Sequence, residues 1–547
     1  MYQPLFSAGA APGQAYLNAF GGLNRTGQIQ DHEFLEMGCL SSGEFPFLSP
    51  SRERRQVCAV DGGIEAVIAP KLEVGTQLTA FTGVAGDKFY YNGVQKLTLT
   101  AQDGRRELVD FNGIILIFPD KKYYSYVDGS SGSIVDEMTG TIKFSSSRNE
   151  KEDTVSSTLT CAAGFGGKFK KGDSLSIQCE SIPKNNTFQV TSKYDQPGEG
   201  DILSCVVAEV VSANTLMVDC YNRNGERMLF TNSSGATATV SRAMPDIVHA
   251  CVANNRVMGV DGKGEFVFAS KLGDFKNWNV FEGLSTDSWY GAVGTEGPFT
   301  GIATVGSSVA AFKHNYLHLL YGDSPQNFTL MRQISGGCID GRSIADVSGQ
   351  LFFLGYDGVY SFSGGNPVRV SEPLNCRYTA GVGGSDGSRY FLSALGAAGT
   401  ELVVLDLQRG MWHREDAFGA VGFIKYNDRL YTADTEKLYE VGGGGYAGEW
   451  FAVSKEYDDG TMLNRAMINL YLRVKFLEDS AKLTIYASTD GGEWAECGSV
   501  SAERGRVQRV PVRIRSGTVY QWKIAGQGGA VVQAMERVVT TGGRNER

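Results

Sequence analysis

The sequence predicts an all-β chain: a β-propeller of six or seven blades, with an inserted small β-barrel and a C-terminal β-sandwich. Three observations lead there. Glycine accounts for 70 of 547 residues and proline for only 14, a surplus without any Gly-X-Y period, which suits many tight turns between short strands. Helical periodicity is almost absent; the best candidate runs from Pro12 to Phe20. Hairpin-like units also recur, spaced about 40 to 50 residues apart from residue 249 onward, as propeller blades are.

The type unit is "GQLFFLGYDGVYSFSGG", residues 349–365. Alternating apolar residues lead into Asp357-Gly358, read as the turn, and Val359-Tyr360-Ser361-Phe362 leads out, which is a hairpin pattern. Residues 78–100 repeat it with a turn at Asn92-Gly93, 112–129 at Pro119-Asp120, and 249–271 at Asp261-Gly262. Residues 300–323 turn near Lys313 to Asn315; 388–412 and 421–443 follow the same plan, the last with turns at Asn427-Asp428 and Thr435-Glu436. A single hairpin is marginal in water, and a four-stranded blade cannot bury both faces alone, so blades stack about an axis.

Two stretches depart from this grammar. Residues 140–244 hold the dense strand runs 169–182 and 202–230 and read as a small barrel inserted in a blade loop; Lys171-Gly172-Asp173 resembles a loop common in SH3-like barrels. After the glycine run Gly442–Gly445, read as a flexible hinge, residues 467–494 and 506–526 alternate as strands of an antiparallel sandwich. The expected organisation is an N-terminal arm over 1–50, a propeller over 51–139 and 245–441, the barrel over 140–244, the sandwich over 446–540 and a disordered tail over 541–547.

Composition narrows the function. A net charge of -9 opposes a protein whose main task is gripping nucleic acid, and suits a wall that DNA slides past. The first basic residue is Arg25 and no apolar core precedes it, so no secretory signal is expected, nor any membrane insertion. The ten cysteines form no CxxC pair. Most are expected to be reduced core residues; the four between 161 and 220 leave a disulfide or metal reading open.

No catalytic constellation stands out, so no catalytic, cofactor-binding or metal residue is assigned and no cofactor is expected. The five histidines are His32, His249, His314, His318 and His413. His314 and His318 read as strand residues about 13 Å apart, too far to share a metal. Ser488 to Trp494 approximates the sialidase Asp-box, Ser-x-Asp-x-Gly-x-x-Trp, but is one residue short and occurs once; it reads as a turn at Asp490-Gly491 followed by a packed tryptophan. Arg52, Arg54 and Arg55 with Glu53 read as a polar segment. Asp458-Asp459-Gly460 reads as a turn, with calcium binding as the alternative.

Residues 20–57 resemble the start of tailed-bacteriophage and prophage β-propeller proteins, which carry a Pro-x-Leu-x-Pro-Arg phrase; here Ser51 separates Pro50 from Arg52. The fuller match is "HACVANNRVMGVDGKGEFVFASKLGDFKNWNVFEG", residues 249–283. It is similar to phage propellers with an NNRxxG…xxASxxGD blade, and the likeness continues through 297–330 and 337–374. The resemblance implies a non-enzymatic virion protein of the tail or neck, of nozzle or stabilisation type, assembled in the host cytoplasm. It implies self-association into a ring of six- or twelve-fold symmetry around the DNA exit channel, contact with other tail or neck proteins, and passage of phage DNA without specific binding. The alternative is a carbohydrate-binding or glycosidase-like propeller for host-surface recognition; a cellular propeller scaffold is a third.

Overall fold

The computed structural model describes residues 13–72, 80–100, 105–149, 154–179, 188–189, 202–221, 227–230, 235–242, 244–333, 336–458, 465–505, 507–514 and 517–541. Its regular structure is antiparallel β-sheet with three short 3-10 turns among those residues. The chain divides into two compact units, one of residues 1–69, 79–86 and 338–547, the other of 70–78 and 87–337.

The first unit holds three four-stranded meanders of propeller-blade type. The first runs Ala345–Val347, Gln350–Gly355, Gly358–Phe362, Val368–Arg369. The second runs Tyr378–Ser385, Arg389–Gly396, Gly399–Asp406, Met411–Arg414. The third takes Gly422–Tyr426, Arg429–Ala433 and Lys437–Glu440 and is completed by Arg55–Ala59 from the far end of the chain. A hairpin of Ile64–Val67 and Gly83–Ala85 belongs to the same unit. Turn chemistry sets the local structure. Asn427 and Asp428 both sit at positive φ, at 47° and 58°, as a two-residue turn matched to strand twist requires. In the 349–365 unit Gly355 pairs with Gly358, so the turn lies at Tyr356-Asp357, one residue before the expected place.

The sandwich lies in this unit as well. One sheet orders Gly13–Leu17, Ala530–Thr541, Arg465–Phe476 and Val507–Ile514; the other orders Phe34–Gly38, Trp450–Ser454, Tyr520–Gln527, Lys482–Thr489 and Ala495–Ser501. Every second residue points inward, as in Ile468, Leu470, Leu472, Val474, Phe476 and Tyr520, Trp522, Ile524. Gly526 is glycine because the Trp450 indole covers it; an added Cβ would lie 2.0 Å from the ring.

Of residues 1–50, expected as an arm, the described part from Gly13 onward therefore supplies strands to the sandwich, and the helical candidate Pro12 to Phe20 holds instead the strand Gly13–Leu17. The cause is non-local pairing. Gly13 faces Val539 and Leu17 faces Met535, so a free sheet edge outweighs weak helix propensity. Further contacts hold this segment. Arg25 grips Glu401 bidentately at 2.9 and 2.8 Å, and Asp31 meets Lys455 at 2.6 Å. The Gly442–Gly445 run is tied down rather than a free hinge: Glu53 N–H donates to Gly445 O and Gly444 N–H to Glu53 O.

The second unit holds three more blades. They are Glu107–Phe111 to Ser131–Ser133, Ile247–Ala253 to Trp289–Ala292, and Phe299–Val305 to Thr329–Gln333. The hairpin Lys88–Tyr91 and Val94–Thr98 turns at Asn92-Gly93. Between the first two blades lies a barrel. Its sheet runs from Glu137–Asn149 to Ala236–Arg242 in sequence, and Thr154–Cys161 pairs with both Glu137–Asn149 and Thr215–Tyr221. Its core includes Ile142, Phe144, Leu159, Phe165, Leu175, Ile177, Val218 and Val240. In the Lys171-Gly172-Asp173 loop, buried Asp173 pairs with buried Arg242 at 2.8 Å.

Cys205 and Cys220 face each other across the hairpin of Ile202–Ser212 and Thr215–Tyr221 and form a disulfide. The expectation of reduced cysteines holds for the other eight. The expected disordered tail lies outside the described residues, apart from Thr541 at the end of the last strand. Cross-linking a segment of 15 residues restrains the unfolded chain by about 3 kcal/mol. Paired Cys205→Ser and Cys220→Ser substitutions are expected to lower barrel stability by about that amount in urea unfolding, and reductant to do the same to the unaltered protein.

Candidate functional site

The 249–283 phrase resolves into one loop clamp. Asn254 and Asn255 turn the chain at φ 51° and 54°, delivering Arg256 into the protein interior with none of its surface exposed. Its guanidinium donates to the carbonyls of Ser270, Asp287 and Ser285 at 2.7, 2.5 and 2.6 Å. Ser270 Oγ accepts from Val257 N–H at 3.0 Å, and Gly273 N–H donates to Asn255 O. Gly259 must lack a side chain, because a Cβ would press on Ile247 at 2.8 Å. Asp274 holds Lys276 N–H and the Asn277 amide. The motif thus folds residues 270–288 over the blade and caps Trp278, itself fully buried. A buried cation whose hydrogen bonds go only to carbonyls is costly unless they converge on it.

The histidines serve separate ends. His249 pairs with Glu107 at 2.8 Å, and His318 with Thr295 at 2.9 Å. His314 lies in the turn between Ser308–Lys313 and Leu317–Tyr321 rather than in a strand. Among the described residues no group of three His, Cys, Asp or Glu side chains converges to hold a metal. In the Asp-box-like stretch Asp490 and Gly491 form the turn at φ 51° and 71°. Asp490 Oδ1 accepts from Thr518 and Val519 N–H. Trp494, expected to be packed, is 41% exposed, because it follows the turn at the sandwich rim. Of Asp458-Asp459-Gly460, only Asp458 lies among the described residues.

The arginine cluster that the sequence reads as a polar segment is more informative. Arg52, Glu53 and Arg54 line a cleft of about 510 Å³ with Cys39, Glu415, Asp416, Phe418, Asp434, Tyr439 and Glu449. Arg54 ion-pairs with Asp416, lies 4.1 Å over the Phe418 ring, and stands 3.8 Å from Glu415. Phe418 meets Tyr439 edge-on at 5.7 Å, and Tyr439 donates to Asp434 at 3.0 Å. Glu53 accepts from Gly448 N–H at 3.1 Å. Glu415 is buried. Burial, reinforced by Asp416 and opposed by Arg54, pushes its carboxyl up to about 7. Two residues earlier, buried His413 has no hydrogen-bond partner at either ring nitrogen, and burial, helped by Arg389, lowers it to about 3. These residues come from five separated segments, so no local pattern announces the cleft.

No family model and no curated protein matches this chain. Similarity to solved structures is faint. A nidogen–laminin complex aligns with 12% identity and a TM-score of 0.25 over 48% of this chain and 85% of the other. An exo-β-1,3-galactanase from Phanerochaete chrysosporium, solved with galactose, aligns with 10% identity and a TM-score of 0.20 over 52% and 92%. A glycoside hydrolase aligns with 8% identity and a TM-score of 0.19 over 80% and 94%. The likeness is one of β architecture and extends no further.

Two expectations follow. Replacing Arg256 by Met should cost about 3 kcal/mol or more, since the carbonyls it serves lose their donor. Urea unfolding should read that loss, and amide exchange should accelerate across 270–288. The second concerns pH. His413 titrates at 6.5 unfolded and about 3 folded, so its neutral burial stabilises above 6.5, and that contribution is lost as pH falls toward 3. Glu415 titrates at 4.5 unfolded and about 7 folded; its contribution is full below 4.5 and lost as pH rises through 7. His413→Leu should flatten the acid limb of the stability profile and gain about 1–2 kcal/mol at neutrality; Glu415→Gln should flatten the alkaline limb.

Proposed function

We propose that this chain is a non-enzymatic structural protein that assembles with copies of itself, and that its place is the tail or neck of a tailed bacteriophage particle. The observation that carries this reading is the use made of the residues behind the resemblance. In the 249–283 phrase Arg256, Ser270 and Asp274 hold the blade and its loop, while Asn254 donates to Gly322 O and Asn255 accepts from Asn112, tying it to the blades on either side. What the chain shares with phage propellers is therefore scaffold, and rigid scaffold is what a ring protein needs. The cleft's Asp416, Asp434 and Glu53 are likewise engaged by Arg54, Tyr439 and Gly448, and its one buried acid is not hydrogen-bonded to a partner base.

A second reading, recognition of surface carbohydrate, is favoured by one feature. Phe281 and Tyr290, 57% and 52% exposed, stand edge-on at 5.7 Å beside Phe266 and Phe268. Exposed aromatic rings of this kind suit stacking against the apolar faces of sugar rings.

Light scattering and negative-stain imaging of the purified full chain separate the readings. Closed homo-oligomeric rings and no turnover of sialosides, peptidoglycan or capsular polysaccharide are expected. A stable monomer that binds an oligosaccharide saturably, with the binding lost in Tyr290→Ala, would establish the second reading in place of the first.

A further inference from the structure

We propose that the cleft beside Glu415 binds an organic cation, a primary amine or a guanidinium. This goes beyond the assembly reading and does not depend on it. Five carboxylic residues line the cleft, Glu53, Glu415, Asp416, Asp434 and Glu449, against two arginines, Arg52 and Arg54. Charge is thus unbalanced in a partly enclosed space, where it is poorly screened. A bare metal ion does not answer the imbalance, because the carboxylates do not converge into a ligand set. A larger cation with several donors can reach separate carboxylates, and the volume of about 510 Å³ is that of a small-molecule site.

Glu415 supplies the independent observation. It is 93% buried, being 7% exposed, lines the cleft, and makes no hydrogen bond through its side chain among the described residues; its nearest ionic partner, Arg54, is 3.8 Å away. A buried carboxyl left in this state has unused acceptor capacity. The chain also carries a precedent for the chemistry. The guanidinium of Arg54 sits in the same cleft, paired with Asp416 and stacked on Phe418, so carboxylate plus aromatic wall already holds one cation.

Binding should be coupled to proton release. The groups facing Glu415 are Arg54 from the segment before Arg55–Ala59, Asp416 on its own loop and Arg389 from Arg389–Gly396, with Cys39 donating its N–H to the Glu415 carbonyl. None of these brings full compensation for an ionised Glu415, which stays largely protonated up to about pH 7. A bound cation compensates it, so the proton leaves as the cation enters.

Titration calorimetry on the full-length chain at constant ionic strength tests this, with spermidine as probe for a free polyamine and acetyl-arginine amide for a basic side chain. One saturable site per chain is expected for at least one probe, about tenfold tighter at about pH 8 than at about pH 6, with a proton released; the tighter probe identifies the source. Glu415→Gln should abolish the pH dependence. Should that variant not fold, Glu449→Gln at the exposed rim should still weaken binding at both pH values. Asp428→Asn, in a hairpin turn outside the cleft with a side chain 99% exposed, should change nothing. Non-saturable uptake, equal weakening by Asp428→Asn, or binding indifferent to both cleft variants would overturn the proposal.

Discussion

The first unit depends on the amino-terminal chain returning to finish sheets begun by the carboxyl-terminal chain. Arg55–Ala59 is the fourth strand of a blade whose other three lie between 422 and 440. Phe34–Gly38 and Gly13–Leu17 occupy edges of the two sandwich sheets. An incomplete sheet leaves a row of unpaired N–H and C=O groups and an uncovered apolar face. Blades, sandwich and cleft therefore stand together, since residues 39 to 54 pass between these strands and carry one wall of the cleft. The cohesion shows in the core, where Phe34, Leu48, Trp412, Trp450 and Trp522 belong to one continuous apolar cluster.

Charge inside this protein is treated in two ways. Arg256 and the Arg242–Asp173 pair are buried and well supplied with partners; each fixes a loop to a sheet. Glu401 is similar, shared by Arg25, Arg414 and Tyr378, which hold its carboxyl below the usual carboxylate range against the opposing effect of burial. Glu415 and His413 are treated differently. Burial moves both toward neutrality, and neither has a hydrogen-bonded side-chain partner among the described residues. Buried ionisable side chains that make no hydrogen bond are expensive, and here two of them meet at one strand end.

How much was legible in the sequence follows from how local each signal is. The blades could be read because alternation and turn residues act over a few positions: Asn92-Gly93 and Asn427-Asp428 turn where they should. The barrel could be delimited because its strands differ in density from the blades, although its first strand opens at Glu137 rather than at 140. Strand Gly13–Leu17 could not be read, since its partner is Ala530–Thr541. The disulfide had a usable signal, for Cys205 and Cys220 flank a turn at Ala213-Asn214 at similar distances. The cleft had none, because Arg54, Glu415, Asp434 and Glu449 meet only through the fold. The role of the NNRVMG phrase as a carbonyl clamp needed the geometry, because the carbonyls that Arg256 serves lie 14 to 31 residues further on.

The late completion of these sheets bears on how the protein is made. Asp31 and Arg537, which approach at 3.5 Å, are separated by 506 residues, and Arg55 and Glu440 by 385. A ribosome working at about 5–20 residues per second needs roughly half a minute to nearly two minutes to span the longer gap. Throughout that time the emerging amino-terminal strands lack these partners, and the sandwich forms only once the strand Ala530–Thr541 has been synthesised. The first unit thus ripens only when its later strands have emerged, and nascent chains crowded on one messenger present open strand edges to each other for the whole interval.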